Sequence, residues 1–327
     1  MVWSGVACDS AAVEHQNPNI EPRWNMSTDP DRAEPLHIVV LGDVHGRLHL
    51  AWSLVKRIEA HYRIKVAHVL QVGDLGFWPR PAEVLDRATR RHAAKDPEEI
   101  SFPEWSQPDR RWGGTRLSPR AEALLAPAAP RGTRVDADLI FIKGNHDDWE
   151  RLPGLTSGGL PSPVDHYERH RFLPNGGTMR LGDGEGILVG ALGGLEHGDP
   201  ARDGFSNAEA EALAGRRLDL LLTHEPPPRT PPGSRLRRVV ESTSPRFVLS
   251  GHLHWHERDL WGEVEFVTLS DVRLNERGEV NAGCAGILTW RGVGVPSFEV
   301  LGDDFAGAFP GRSILVYPGD DALAATR

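Results

Sequence analysis

The segment Leu36-His37-Ile38-Val39-Val40-Leu41-Gly42-Asp43-Val44-His45-Gly46 is the clearest guide to the architecture of this chain. Its first six residues are mostly apolar and rich in β-branched side chains, which predicts a buried strand that ends at Gly42. Beyond the polar loop, apolar residues recur with helical spacing from His49 onward. A strand, a loop and a helix therefore follow one another, an order that is typical of α/β proteins.

The same pattern of an apolar strand that stops at a polar cluster recurs along the chain. Further strands are predicted over 66–72, 139–142, 186–192, 218–222 and 247–250, and helices over 82–95, 118–126, 206–215 and 234–242. Strands near 257–269 and 286–301 are expected to complete a second sheet. Together these elements predict a layered α/β/β/α sandwich of two mixed sheets flanked by helices.

The chain divides into three predicted parts. Residues 1–34 are polar, contain several prolines and show no sustained period, which predicts a flexible tail. Residues 35–301 form the predicted domain, with an irregular insertion at about 80–134. Residues 302–327 are a predicted C-terminal extension, either a tail or an edge strand at 313–317.

Composition excludes several classes of protein. No run approaches the 18 or so apolar residues of a membrane span, and the N-terminus lacks the features of a secretory signal, so a cytoplasmic protein is expected. Cys8 and Cys284 are the only cysteines, which argues against a disulfide framework or a thiolate zinc site. The net charge of −9 argues against a protein that coats nucleic acid by charge alone. The sequence does not define the oligomeric state.

Five polar clusters with metal-ligand chemistry follow the predicted strands. They are Gly42-Asp43-Val44-His45-Gly46, Gly73-Asp74, Gly144-Asn145-His146-Asp147, Thr223-His224 and Gly251-His252-Leu253-His254. Loops at the carboxyl ends of strands surround the ligand crevice of an α/β sheet, so the clusters are expected to converge there. Alternate residues such as Asp43 and His45 point to the same side if the segment is extended. Each cluster alone could be a turn or a cap, but the ordered set is more specific.

In the order D-x-H, G-D, G-N-H-D, H and G-H-x-H, the clusters resemble the signature of the calcineurin-like metallophosphoesterase superfamily, over residues 36–260. The resemblance implies one metal ion on Asp43, His45 and His254, a second on Asn145, His224 and His252, and Asp74 as the bridge between them. It also implies a hydroxide that bridges the two ions and attacks phosphorus, with His146 outside the metal shell as the catalytic general acid. The ligands suit Mn, Fe, Zn or Ni, of which manganese is favoured, and no organic cofactor is expected.

The sequence departs from one branch of that superfamily. The second motif, Gly73-Asp74-Leu75-Gly76-Phe77, lacks the Asp-Arg-Gly continuation of protein Ser/Thr phosphatases, so that branch is disfavoured and Arg47 is interpreted as a surface residue. Asp147 could orient His146, or could start a helix together with Asp148. His256 could extend the last motif.

The predicted function is hydrolysis of a phosphomonoester or phosphodiester, on a phosphorylated small molecule or a nucleotide. The alternatives are a nuclease that acts on RNA or DNA ends and a non-catalytic metal-binding scaffold. The insertion holds ten Arg and one Lys against eight Asp and Glu, with Trp105 and Trp112 among them. It could contact nucleic acid by phosphate pairing and stacking, or form a lid whose tryptophans pack on the domain. The segment 193–199 could be a further active-site loop or a glycine-rich turn.

Overall fold

The structure is a computed structural model that describes residues 34–80, 84–85, 87–108, 116–129, 134–155 and 159–308. The predicted tail up to residue 33, Trp112 and the strand predicted at 313–317 lie outside the described residues. Among the helices of the described part, none is both long enough and apolar enough to cross a membrane.

Thirteen strands and seven α-helices make up the described chain. The strands are β1 (Leu36–Leu41), β2 (Val66–Gln71), β3 (Asp138–Phe141), β4 (Ser162–Pro163), β5 (His170–Phe172), β6 (Thr178–Leu181), β7 (Ile187–Leu192), β8 (Leu220–Thr223), β9 (Phe247–Ser250), β10 (Glu257–Trp261), β11 (Val264–Thr268), β12 (Ala285–Trp290) and β13 (Ser297–Val300). The helices are α1 (Leu48–Tyr62), α2 (Arg87–Ala93), α3 (Pro103–Ser106), α4 (Pro119–Leu125), α5 (Asn207–Glu211), α6 (Arg235–Thr243) and α7 (Asp303–Ala308), with short 3₁₀ helices at Pro97–Ile100, Leu152–Leu155 and Pro227–Arg229.

The strands form two mixed sheets. The first has the order β13-β12-β1-β2-β3-β5-β4 and the second the order β10-β11-β9-β8-β7-β6. Strands β1, β2, β3 and β5 run parallel in the first sheet, and β11, β9, β8 and β7 run parallel in the second. The carboxyl ends of the central parallel strands of each sheet therefore lie along one edge of that sheet, and the loops with the polar clusters follow these ends.

The prediction that 286–301 belongs to the second sheet is wrong. β12 pairs antiparallel with β1 over its whole length, from Leu36 opposite Trp290 to Leu41 opposite Ala285, and β13 pairs with β12. Both strands therefore extend the first sheet. Apolar periodicity identifies a strand but not its partner, because pairing depends on contacts between distant parts of the chain.

Three apolar clusters separate the layers. Alternation along β1 sends Val39 and Leu41 towards helix α1, while Ile38 and Val40 face the second sheet. A third cluster lies between the second sheet and helices α5 and α6. This arrangement is the predicted α/β/β/α sandwich.

The insertion packs onto the helical side of the first sheet. Phe102 and Trp105 are buried in the same cluster as helix α1, as are Leu117 and Leu124 around the start and end of α4. Ser118 caps α4 by accepting a hydrogen bond from the Ala121 amide, and Pro119 suits the first turn. The insertion is therefore part of the folded layer wherever it is described.

Candidate metal centre

Seven predicted ligands come together at the carboxyl ends of the strands, and we call them the strand-end centre. They are Asp43 and His45 after β1, Asp74 after β2, Asn145 after β3, His224 after β8, and His252 and His254 after β9. Residues from both sheets contribute to it. The fold thus brings together side chains as distant in sequence as Asp43 and His254.

The glycines before the ligands make room for them. A Cβ atom on Gly144 would lie 2.0 Å from Asp74 Oδ1, and one on Gly251 would lie 2.1 Å from Asp43 Oδ1. Both distances are far below van der Waals contact, so no other residue fits there without displacing a carboxylate. The recurrent Gly before a ligand is therefore a requirement of space in this centre.

Four of the predicted ligands have a backbone conformation that residues other than glycine seldom adopt. The φ angles are 48° at His45, 57° at Asp74, 70° at His252 and 58° at His254. The expectation that alternate ligands share a side of an extended segment is therefore wrong, because tight left-handed turns direct these side chains instead. Non-glycine residues in this region cost free energy and concentrate at functional sites.

The first group of ligands is Asp43, His45 and His254. His254 Nε2 lies 3.1 Å from Asp43 Oδ2 and 3.1 Å from His45 Nε2, and His45 Nε2 lies 4.0 Å from Asp43 Oδ2. Asp43 is fully buried, whereas the His254 side chain is 40% exposed. Three donor atoms thus face a common point that is accessible from solvent.

The second group is Asn145, His224 and His252. His224 Nε2 lies 2.9 Å from Asn145 Oδ1, and the His224 and His252 rings are 5.0 Å apart between centroids. His224 Nδ1 donates to the Val72 carbonyl oxygen at 3.0 Å, which fixes the orientation of the ring. Such a hydrogen bond leaves Nε2 as the atom that faces the centre.

The Asp74 carboxylate lies between the two groups. Its Oδ2 is 3.8 Å from His45 Nε2 and 3.4 Å from His224 Nε2. Burial by itself would raise the pKa of Asp74, but the neighbouring His224 and His45 imidazoles outweigh it and hold the pKa well below its ordinary value. Asp74 is therefore ionised and placed to contact cations in both groups.

The protonation of the histidines follows from these carboxylates. Burial acts to lower the pKa of His45, but the hydrogen bond to Glu99 and the charge of Asp74 raise it to about 10. Asp74 similarly overcomes burial and raises the pKa of His224 to about 9. The pKa of His252 is lowered by burial and by the charge of His224. In the metal-free protein, protons thus occupy positions that cations would take.

The donor set fits divalent cations. It consists of imidazole nitrogens, carboxylate oxygens and one amide oxygen, a combination that suits Mn, Fe, Zn and Ni. Buried carboxylates and imidazoles that face one another at 3–4 Å need either protons or cations between them. A metal ion would replace those protons.

Asp147 holds the loops of the centre together. Its Oδ1 accepts hydrogen bonds from the amides of Gly76 at 3.0 Å and Phe77 at 2.8 Å, and its Oδ2 accepts from the Gly144 amide at 2.8 Å. The carboxylate is fully buried. The alternative that Asp147 orients the His146 ring is wrong, because its oxygens are committed to backbone N–H groups of two neighbouring loops.

Asp148 provides the local turn instead. Its carbonyl oxygen accepts from the Arg151 and Leu152 amides ahead of the 3₁₀ helix, and its carboxylate pairs with Arg80 at 2.6 and 2.8 Å. The predicted start of a helix is thus met by Asp148 rather than by Asp147.

Glu99 was not predicted from the sequence. It lies in the 3₁₀ helix at Pro97–Ile100 of the insertion, is fully buried, and places Oε2 3.0 Å from His45 Nδ1 and Oε1 3.3 Å from His146 Nδ1. Burial raises its pKa, but the hydrogen bonds to His146 and His45 outweigh this effect and lower the pKa to about 2. His92, also from the insertion, lies 3.5 Å from the same carboxylate. No strand end or glycine precedes Glu99, so motif spacing carries no signal for it.

Several other predicted candidates have structural roles. His256 Nδ1 donates to the Thr268 carbonyl oxygen at 2.9 Å, so that nitrogen is committed to the backbone. Arg47 is not a free surface residue, because it pairs with Asp96 and, at 3.2 Å, with Glu98 of the insertion.

The segment 193–199 is a turn held by its own neighbours. Gly193 exchanges hydrogen bonds with the Asn175 side chain, and the buried Glu196 accepts from the Arg235 amide. The glycine-rich turn is therefore the better interpretation. Trp105 is buried beside His170, with 5.9 Å between ring centroids, which agrees with a tryptophan packed on the domain.

One protein-family model matches most of this chain. The family model described as calcineurin-like phosphoesterase matches residues 36–256. A comparison with curated proteins finds no match. Similar solved structures include a novel phosphatase from Mycoplasma pneumoniae, with 11% identity over 86% of this chain and 99% of that one and a TM-score of 0.40. A novel archaeal phosphodiesterase has 12% identity over 81% and 100%, with a TM-score of 0.35. A predicted phosphoesterase from Streptococcus pneumoniae has 14% identity over 82% and 98%, with a TM-score of 0.30. At these values the solved structures say nothing of the substrate.

Proposed function

Because the chain belongs to the calcineurin-like phosphoesterase family, we propose that it hydrolyses phosphate esters with two divalent cations held in the strand-end centre. Asp43, His45 and His254 hold one cation in this proposal, and Asn145, His224 and His252 hold the other. Asp74 is shared between them.

The position of the Asp74 carboxylate carries this proposal. It faces a histidine of each group, at 3.8 and 3.4 Å, and its negative charge is maintained in a fully buried position. A carboxylate that binds a single cation would need neighbours from one group only. Shared carboxylates hold two cations about 3.5–4 Å apart in two-metal hydrolases.

When bound, such cations make water a competent nucleophile near neutral pH and neutralise charge on the phosphate. The residues of the chain supply the remaining steps. His146 is positioned by its amide, which donates to Asp74 Oδ1 at 2.6 Å, and its side chain is 31% exposed and open to substrate.

His146 can therefore donate a proton to the departing oxygen. Burial lowers the pKa of His146, but the hydrogen bond to Glu99 and the charge of Asp74 outweigh it and raise the pKa above its ordinary value. The imidazole therefore keeps its proton to a higher pH than an ordinary histidine does. A proton on a side chain that contacts the leaving group favours general-acid catalysis.

The substrate proposed is a phosphomonoester or phosphodiester of a small molecule or nucleotide, and the cation proposed is manganese. Trp105, which offered a stacking surface for nucleic acid, is buried, so the described residues give no observation that favours a nuclease over a small-molecule phosphoesterase. All seven predicted ligand residues are present and lie in the strand-end centre, which argues against a scaffold without turnover.

A substrate panel tests the proposal. Chelator-treated protein, reconstituted with Mn²⁺, is assayed on p-nitrophenyl phosphate, its bis ester, cyclic nucleotides and short oligonucleotides. Asp74→Asn is expected to abolish hydrolysis, whereas Asp165→Asn, which changes a buried carboxylate bonded to the His170 amide, should retain it. Turnover by Asp74→Asn at the wild-type rate would contradict the proposal.

A further inference from the structure

We propose that Glu99 is a positioning residue of the hydrolytic centre, which holds the rings of His45 and His146 at once. The inference rests on the proposed function, because it assigns His45 to a cation and His146 to the leaving group. It makes the insertion a part of the active site rather than a cover over it.

The geometry assigns one carboxylate oxygen to each ring. Glu99 Oε2 accepts from His45 Nδ1 at 3.0 Å, and Oε1 lies 3.3 Å from His146 Nδ1. The two rings meet edge to face, with 5.1 Å between their centroids. A single buried side chain thus fixes the spacing between a metal ligand and the histidine that faces the substrate.

The chemistry of imidazole explains what this contact does. A hydrogen bond from Nδ1–H to a carboxylate fixes the tautomer and the rotation of the ring and leaves Nε2 directed away from the carboxylate. For His45, Nε2 then points to Asp74 and His254. Carboxylates that support a ligating histidine in this way also raise its basicity as a ligand.

Glu99 is itself held in place by the loop of the first motif. The Ser101 hydroxyl donates to the Gly46 carbonyl oxygen at 2.6 Å, and Arg47 pairs with Asp96 just before the 3₁₀ turn and with Glu98 within it. The backbone of this turn lies directly against Gly46, where an added Cβ would meet the Glu98 carbonyl oxygen at 1.8 Å. The Glu99 carboxylate is therefore attached to a rigid turn. Such rigidity is required to position a side chain to within a fraction of an ångström.

The test uses Glu99→Gln, Glu99→Asp and the control Glu104→Gln, each in the full chain. Gln is nearly isosteric with Glu but offers one acceptor in place of two, and Asp keeps the charge but is too short to reach both rings. Glu104 lies in helix α3 of the same insertion, and its side chain is exposed. Melting temperature and circular dichroism establish that each variant folds. If Glu99→Gln does not fold, Glu99→Asp takes its place in the test.

The first readout is Mn²⁺ binding by metal-free protein, which needs no activity. Glu99→Gln is expected to weaken binding by about 10- to 100-fold at unchanged stoichiometry, because the support of His45 is lost. Glu104→Gln should bind as the wild type does. Loss of one whole metal equivalent in Glu99→Gln would overturn the proposal, because Glu99 would then be a ligand itself.

The second readout separates positioning from general damage. At saturating Mn²⁺, kcat is compared on p-nitrophenyl phosphate, whose leaving group needs no proton, and on an alkyl phosphate, whose leaving group does. Glu99→Gln should lose about 10-fold more kcat on the alkyl ester, and the difference should vanish in a His146→Ala background. Equal losses on both esters, or a difference that persists without His146, would overturn the proposal.

The two readouts also distinguish this inference from the proposed function. If the wild type hydrolyses neither ester, the proposed function fails, while the binding measurement still decides whether Glu99 supports His45. If the wild type is active and Glu99→Gln matches it in both binding and kcat, the inference alone fails.

Discussion

Replacing Asp147 by alanine should destabilise the metal-free protein by about 3 kcal/mol at pH 7. The buried carboxylate accepts from the amides of Gly76, Phe77 and Gly144, and three buried N–H groups without an acceptor cost about 6 kcal/mol together. Burial and the charge of Asp74 raise the pKa of Asp147 to about 6, so at pH 7 the carboxyl is ionised in the folded state at a cost of about 3 kcal/mol. Alanine removes the cost of the buried charge, so the net destabilisation is the difference between the two contributions.

The matched variant Asp147→Asn separates the two contributions. Its amide oxygen can still accept from Gly76 and Phe77, and it carries no charge, so its stability should lie within about 1 kcal/mol of the wild type. Glu150→Ala is the control, because that side chain is 77% exposed in an ion pair with Arg80 and should contribute less than about 1 kcal/mol. Urea unfolding at pH 7 with chelator, followed by circular dichroism, measures all three. The reasoning is refuted if alanine costs less than about 1 kcal/mol, or if asparagine costs as much as alanine.

Two further predictions concern the cations. Since the pKa values of His45 and His224 are raised to about 10 and 9, both are protonated at pH 7 in the metal-free protein, and metal binding should release about two protons per chain. The release should fall to about one proton between pH 9 and pH 10 and towards none above pH 10. Titration calorimetry in buffers of different ionisation enthalpy measures this release, and a heat independent of buffer would contradict it. Gly251→Ala should weaken Mn²⁺ binding by more than about 10-fold, because the added Cβ would displace the Asp43 carboxylate. The control Gly302→Ala should leave Mn²⁺ binding unchanged, because the space around Gly302 is open. Equal affinities of the two variants in equilibrium dialysis would contradict this expectation.

Much of the fold could be predicted from sequence because its strands are short apolar runs that end in glycine or polar clusters. Strands β1, β2, β3, β8 and β9 lie within a residue or two of their predicted bounds. The sheet to which β12 belongs could not be predicted, because its pairing with β1 is a contact across more than 240 residues. Strands β4, β5 and β6 could not be predicted, since two to four residues give no clear period.

The site shows the same division between local and distant information. The candidate ligands could be proposed from sequence because each follows a strand. The glycines beside them, such as Gly144 and Gly251, are required by space that only the structure measures. The Asp147 contacts and the approach of Glu99 could not be predicted, because both depend on how separate loops pack. The sequence argument about the insertion used its basic charge and its tryptophans. In the structure, the residue of the insertion that reaches the site is the buried carboxylate of Glu99.

The occupancy of the strand-end centre by manganese tests the central claim most directly. Metal-free protein is dialysed against Mn²⁺, the bound metal is counted by mass spectrometry, and the electron paramagnetic resonance spectrum is recorded. The account predicts two ions per chain with the spectrum of an exchange-coupled pair, and loss of that coupling in Asp74→Asn, because Asp74 lies between both groups. A single ion per chain, or two ions with uncoupled spectra in the wild type, would contradict it.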